Sequence, residues 1–356
     1  MISGVASGVG PETPVVSVLI TAYSRTEFLP QAIESLLSER VPPRLYEVIL
    51  VSNRPLDAFP ALPESLPLKF IQMEGSAGQF LAVGIRNSRG ELISFLDDDD
   101  MFRVGKLQSL SVWTNSKPKV DYFHNEQAVG IANHEPYFDD YARRIWRVKP
   151  LRREIDEPIV DSDRLLRIGR AFGLDRNLSS MTVRQSVARE IAGPLEGITA
   201  ATDHCVYLLA LDRARRFFAT PAAMTFYRVH PKSSSMIDSS LLGKPEFNRE
   251  AQGQIDSLSL IRGHIRSKRI RDWIDHLVAT LRLRIQVFDP SEARPSRSAI
   301  LGCLRESLRY RDGYGYAVVA AAGLTRLNRE MAQRMFLDAR RRTTAREVGP
   351  GTGGEA

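Results

Sequence analysis

An α/β fold is what this sequence predicts: a mostly parallel sheet flanked by helices, followed by a C-terminal helical region. Three observations carry that expectation. Apolar, β-branched runs alternate with helically spaced segments over the first hundred residues, as in sheets whose strands are buried on both faces by crossover helices. Three of these runs end in polar clusters, the last of them four consecutive aspartates, Asp97 to Asp100. Beyond Lys244 the strand signal stops and the apolar spacing becomes helical.

The elements follow in order. Residues 1–13 are rich in Gly, Ser and Pro and are expected to form a flexible N-terminus. Val15 to Ala22 (VVSVLITA) reads as a buried strand, and Phe28, Ile33, Leu36 and Leu37 mark the helix after it. Tyr46 to Val51 is a second buried strand and Leu68 to Met73 a third, separated by a loop rich in proline. A helix around Gln79 to Asn87 precedes a fourth strand, Glu91 to Leu96, which runs into the aspartates. Further strands are expected at Val120 to His124, Ser179 to Val183 and Ala223 to Val229. The charged stretch Asp139 to Arg170 has two readings, a surface lid or a long polar connection. An α/β domain over 14–240, a helical region over 241–346 and a disordered tail over 347–356 complete the division.

Composition narrows the class. With 43% hydrophobic residues in 356, the chain can bury a large core, which excludes wholesale disorder. Lys and Arg total 49 against 42 Asp and Glu, an excess that favours anionic partners without naming one. Cys205 and Cys303 form neither a disulfide framework nor a metal-ligand spacing, so a reducing compartment is expected. No run approaches the roughly 20 apolar residues of a membrane span, and the start lacks a signal peptide's charged and apolar regions. A cytoplasmic protein is expected, with peripheral membrane contact left open. Neither a zinc finger nor an aromatic-basic motif is present, so nucleic acid is not expected as a partner.

Four adjacent aspartates at the end of an apolar strand repel one another unless protons or a cation intervene. Their oxygens are hard donors suited to Mg²⁺ or Mn²⁺, which bridge carboxylates to nucleotide phosphates. The bland alternative is a solvated acidic turn. A calcium loop of the EF-hand kind fails, because counting from Asp97 puts Phe102 at the glycine position and Gln108 at the glutamate position. In parallel sheets ligands lie beyond the carboxyl ends of the strands, where Thr21-Tyr23-Arg25, Ser52-Asn53 and the aspartates would converge.

Taken together, VSVLITAYSR, EVILVSN, IRNSRGELISFLDDDD and the later FYRVHPKSS resemble, in order, the successive motifs of the family-two, inverting GT-A glycosyltransferases. The resemblance runs over roughly residues 15 to 235. It implies a GT-A type, Rossmann-like sheet and an enzyme moving a sugar from a nucleotide-diphosphate donor to a hydroxyl acceptor: a glycan, a lipid-linked molecule or a small molecule. By the same resemblance Thr21, Ala22, Tyr23 and Arg25 wrap the nucleotide, and Arg86 and Asn87 brace the donor site unless they are plain helix surface. Asp97 and Asp98 fall on the donor side of the aspartate motif, and Asp99 ligates Mg²⁺ or Mn²⁺. Where relatives carry an aspartate that reads the donor base, this chain has Ser52 and Asn53; an amide both donates and accepts, so the base stays open.

The resemblance also places the catalytic base at Asp203, in ATDHCVYLLAL, although an acidic residue is equally at home capping a helix. Thr202 stands where an acidic neighbour is usual. Arg228 and His230 fall on the closing Tyr-Arg-x-His motif, Arg228 toward the diphosphate and His230 toward metal or pyrophosphate. These departures leave a second reading, a catalytically weakened relative that binds nucleotide or glycan as a scaffold. The basic helical stretch with Arg262, Arg266, Lys268, Arg269, Arg271, Arg282 and Arg284 either lies on an anionic membrane or packs as a bundle with solvated charges.

Overall fold

Successive strands that are apolar on both faces can be buried only if helices cover both sides, and the chain alternates accordingly. The computed structural model describes residues 13–23, 27–39, 41–60, 62–131, 150–159, 162–230 and 245–336. Its first half contains β1 (Val16–Ala22), α1 (Leu29–Leu37), β2 (Tyr46–Ser52), β3 (Leu68–Gln72), α2 (Ala77–Asn87), β4 (Leu92–Asp97), β5 (Met101–Phe102) and α3 (Lys106–Ser116). Next come β6 (Tyr122–Ile131), β7 (Ile155–Pro158), α4 (Ser162–Phe172), β8 (Met181–Arg184), α5 (Gln185–Leu195), α6 (Thr202–Arg213) and β9 (Arg216–Val229). Helices α7 (Pro245–Arg262), α8 (Lys268–Phe288), α9 (Arg297–Tyr310) and α10 (Gly313–Thr325) follow.

One sheet holds the order β3-β2-β1-β4-β8-β6-β9-β5, with β7 also on β9. The strands β3, β2, β1 and β4 are parallel, as expected. Beyond β4 the sheet is mixed, because β8 joins β4 and β6 antiparallel while β9 runs parallel to β6. Register aligns the carboxyl ends: Thr21 pairs with Asp97 on one side and Val51 on the other, and Ala22 with Ser52.

Alternation along β1 divides the core. Val18 and Ile20 join Ile33 and Leu36 of α1 and Leu107 and Leu110 of α3 on one face. Leu19 joins Phe80 and Ile85 of α2, Ile191 of α5 and Leu208 of α6 on the other. That second core continues without a break into Leu258 of α7 and Trp273, Ile274 and Leu277 of α8. The C-terminal helices are therefore fused to the α/β part by shared apolar burial, each Leu or Ile there contributing about 1.5–3 kcal/mol.

Their charges are largely paired within the chain, at its surface. Arg262 pairs with Asp275 at 2.6 Å, Arg266 with Glu190 at 3.0 Å, Lys268 with Asp272 at 2.8 Å and Arg269 with Asp163 at 3.1 Å. Arg271 donates to the Ile265 carbonyl, Arg284 is buried against the Phe247 carbonyl, and Arg282 is exposed. This favours the bundle over the membrane reading of that stretch.

Of the charged stretch Asp139 to Arg170, residues 139–149 and 160–161 lie outside the described residues. Its last part is helix α4 with Leu165 and Leu166 in the shared core, an amphipathic helix where a polar connection was one expectation. The helical run breaks between α9 and α10 at Arg311 and Asp312, and Gly313 and Gly315 sit in the first turn of α10, which Asp312 caps.

Helix α2 starts with a capping box, Ser76 and Gln79 exchanging bonds with each other's backbone, and its next turn abuts the loop after α5. A Cβ at Gly78 would collide with the Leu195 carbonyl, and the Gly78 N–H already donates to Ile198 O at 3.1 Å. Gly78→Ala is expected to destabilise the protein by about 1–3 kcal/mol in urea unfolding, since backbone rather than a side-chain tip must move.

Candidate active site

Strand β4 is buried along Leu92–Leu96 and then turns at once, with Asp100 N donating to Asp97 O at 3.2 Å. The turn gathers the acidic side chains: carboxylate oxygens of Asp97, Asp99 and Asp100 lie within 4.8 Å of one another. Asp98 is buried beside them. Ser179 steadies the strand end by accepting from Asp97 N at 2.9 Å.

Strand β5 follows immediately and pairs antiparallel with β9, placing the end of β9 against the turn. Arg228 then donates from its backbone N to Asp100 Oδ1 at 3.0 Å and from Nε to the Asp99 carbonyl at 2.8 Å. Its guanidinium sits 4.7 Å from the Phe28 ring. His230 Nε2 lies 3.0 Å from Asp99 Oδ2, with its ring also against Phe28. Arg228 and His230 thus lie against the aspartate turn, with His230 behind Asp99 and outside the three-carboxylate cluster.

Burial, reinforced by the charges of Asp100, Asp99, Asp98 and Asp203, holds the Asp97 carboxyl well above the usual range. Burial and the Asp99 charge push Asp100 up to about 8, against the opposing pull of Ser179 and Arg228. Behind them Lys106, donating to Ser179 O at 2.6 Å, is driven down to about 7 by burial although Glu39 and Asp100 oppose it. Asp100 Oδ2 is buried and has no hydrogen-bond partner among the described residues. Clustered hard oxygens, one buried without a donor, fit a divalent cation such as Mg²⁺ or Mn²⁺.

The donor-side residues divide. Thr21 and Ala22 end β1 beside Asp97 and Ser52, and Asn53 follows β2 at the same edge. Tyr23 is 52% exposed there, with its ring 5.7 Å from Phe80. Arg25 lies outside the described residues, as does the Pro231–Ser234 end of the closing motif. Arg86 and Asn87 do not join the site. A helix linking parallel strands runs against them, so its last turn ends at the amino edge, roughly 20 Å away by strand rise. There Arg86 pairs with Glu196, and Asn87 accepts from Lys69 at 2.8 Å near the start of β3.

Asp203 stands in the first turn of α6, whose N-cap Ala201 is left-handed at φ 52°. Asn177, also left-handed at φ 57°, donates its backbone N to Asp203 Oδ2 at 3.3 Å. Such non-glycine conformations cost about 1–3 kcal/mol each and persist where surroundings enforce them. Asn177 also links Asp203 to the aspartate turn, its Oδ1 accepting at 3.0 Å from the N–H of Ser179, the residue whose hydroxyl accepts from Asp97 N. Burial alone would raise Asp203 too, yet contact with His204 holds it below the usual range. Its neighbour His204 spans two acids, Nε2 to Asp175 Oδ2 at 3.2 Å and Nδ1 to Asp203 Oδ1 at 3.4 Å.

Sequence reading missed Ser179, Lys106, Asn177, Asp175 and His204. His204 alone had a local signal, its place beside Asp203. Burial disfavours the His204 cation, but Asp175 and Asp203 raise it to about 9. A raised histidine stabilises the fold fully below its unfolded value near 6.5, and that contribution disappears as pH rises through about 9. The melting temperature is therefore expected to fall between pH 6.5 and 9, and His204→Gln to flatten that fall; equal slopes for both proteins would contradict it.

A parallel unit whose strand ends gather carboxylates, continued by a mixed half carrying a further acid, defines a GT-A type α/β domain. Residues 17–125 match the profile of the family described as Glycosyl transferase family 2. An uncharacterized glycosyltransferase of Nostoc sp. is 23% identical over 246 residues, 66% of this chain and 71% of its own length. The uncharacterized glycosyltransferase YwdF of Bacillus subtilis is 27% identical over 118 residues, 32% of this chain and 42% of its own length. The match thus spans less than half of that relative. S. aureus TarS 1–349, solved in complex with UDP-GlcNAc, shares the fold at a TM-score of 0.50 and 14% identity, covering 92% of this chain and 90% of that chain. The chain is thus similar to the glycosyltransferases of family 2 over residues 17–125.

Proposed function

We propose that the protein transfers a sugar, with inversion, from a nucleotide-diphosphate donor to a hydroxyl acceptor. The observation that carries this reading is the Asp97, Asp99 and Asp100 cluster at the end of β4, joined through Ser179 and Asn177 to the separately held Asp203. Thr21, Ala22, Tyr23 and Asn53 line the nucleotide side, with Asp97 and Asp98 beside the ribose. A Mg²⁺ or Mn²⁺ held by Asp99 with Asp97 and Asp100 would neutralise the diphosphate, with His230 bracing Asp99. Arg228 adds positive charge on that side. TarS, with its bound UDP-GlcNAc, supports a nucleotide-sugar as the class of donor.

In the transfer the acceptor oxygen attacks the anomeric carbon from the face opposite the diphosphate. The carbon–oxygen bond to the diphosphate breaks and its electron pair leaves with the phosphate oxygen. The hydroxyl proton passes to an Asp203 oxygen, which the nearby His204 cation keeps ionised and ready to accept it. Glycans, lipid-linked molecules and small hydroxyl compounds are the acceptor classes. Among the described residues no helix is long and apolar enough to cross a membrane. A cytoplasmic enzyme with at most peripheral membrane contact is part of this proposal. The scaffold reading is not favoured, because the carboxylates that transfer requires are gathered in one place.

The test is incubation with UDP-, GDP- and dTDP-sugars and Mn²⁺ or Mg²⁺, reading the anomeric configuration of the product by proton NMR. An inverted product supports the proposal. Retention of configuration would overturn the single-base mechanism, and donor binding without turnover of any sugar would return weight to a scaffold.

A further inference from the structure

A chain of charged side chains leads from the C-terminal helices to the proposed base. Asp312, the fully buried N-cap of α10, pairs with His276 of α8 at 3.1 Å and with Arg170 Nε of α4 at 3.1 Å. Arg170 Nη1 reaches Asp175 Oδ2 at 3.8 Å, and that same oxygen meets His204 Nε2 at 3.2 Å. His204 Nδ1 then meets Asp203 at 3.4 Å. The left-handed non-glycine residues among the described residues, Asn177, Ala201 and Arg311, all lie within two positions of a member of this chain. Backbone strain thus sits at both ends of it, where the fold enforces unusual geometry.

We propose that the C-terminal helical region is a working part of the active site, positioning the Asp203 carboxylate through Asp312, Arg170, Asp175 and His204. The proposal rests on the reading of Asp203 as the base. Alternating signs along the chain fix each group: a histidine between two carboxylates has both ring nitrogens donating, which leaves one orientation of the imidazole. The outer acid is in turn held by an arginine that the C-terminal Asp312 anchors. Without Asp312, Arg170 would be free to turn toward Asp175 and compete with His204 for it. Other charged groups facing this chain are Arg176 and Asp97 near Asp203, Arg176 near Asp175, and Tyr314 near Arg170.

The test uses the full chain and compares Asp203→Asn, His204→Gln, Asp312→Asn, Arg170→Lys and, as a control in the same helical region, Arg262→Gln. His204→Gln and Asp312→Asn are expected to lower kcat about ten- to a hundredfold, the scale of a small misplacement of a reacting group, with donor KM little changed. His204→Gln also removes a cation beside Asp203, so the acidic limb of the kcat profile moves to higher pH. Arg170→Lys keeps the charge and retains most activity, and Arg262→Gln behaves as wild type. Should Asp312→Asn fail to fold, judged by its melting curve, His204→Gln and Arg170→Lys decide the matter through the pH limb. Wild-type kcat and an unmoved acidic limb in His204→Gln, with Asp203→Asn inactive, would overturn the relay while sparing the base. Transfer by Asp203→Asn would instead remove the base and the relay with it.

Discussion

Asp203→Asn is expected to lower kcat by about 10²–10⁴, the range a positioned general base contributes, while nucleotide binding stays close to wild type. The split follows from placement. Asp203 sits on the first turn of α6, across from the aspartate turn, and its bonds are to Asn177 and His204 rather than to the residues that line the nucleotide side. An amide keeps the shape and still accepts from the Asn177 backbone, but it cannot take the acceptor's proton. Steady-state kinetics with calorimetric donor binding separate the two effects. A variant that turns over normally would remove Asp203 from the reaction, and one that loses nucleotide binding in parallel would make it a structural residue of the donor site.

Asp99→Asn is expected to act on binding. Metal affinity falls about a hundredfold or more, since even changes outside the coordination shell cost 10–100-fold. UDP, GDP and dTDP should then bind no better with Mn²⁺ than without it. The same substitution relieves repulsion: Asp99 is the leading charge raising Asp100 and among those raising Asp97, so the apo protein should become more stable at neutral pH. Gain of apo stability together with loss of the Mn²⁺ effect is the expected pair of results. Retained metal-dependent binding would move the ligand role to Asp97 and Asp100.

Much of this was legible in the residues because it is local. A β-branched apolar run is a buried strand wherever it falls, and β1, β2, β3 and β4 match their expected spans to within a residue or so. Four aspartates after such a run stand at its carboxyl end by chain connection alone, and an acidic residue opening a helical pattern marks that helix's first turn. The fused core of α7 and α8 was not legible, because helical periodicity announces an apolar stripe without saying what it covers.

Direction misled in one place. Arg86 and Asn87 are near the aspartates in sequence, but the crossover helix carries them to the opposite edge of the sheet. The chain from Asp312 to Asp203 left no trace in the sequence beyond the place of His204 beside Asp203: Arg170 and Asp312 are 142 residues apart. By itself the sequence determined the first four strands, the parallel unit they form and the acidic turn at its end, since these follow from periodicity and chain connection. Only the tertiary structure decided which distant charges surround Asp203, because burial pairs charges by position in space, wherever in the chain they lie.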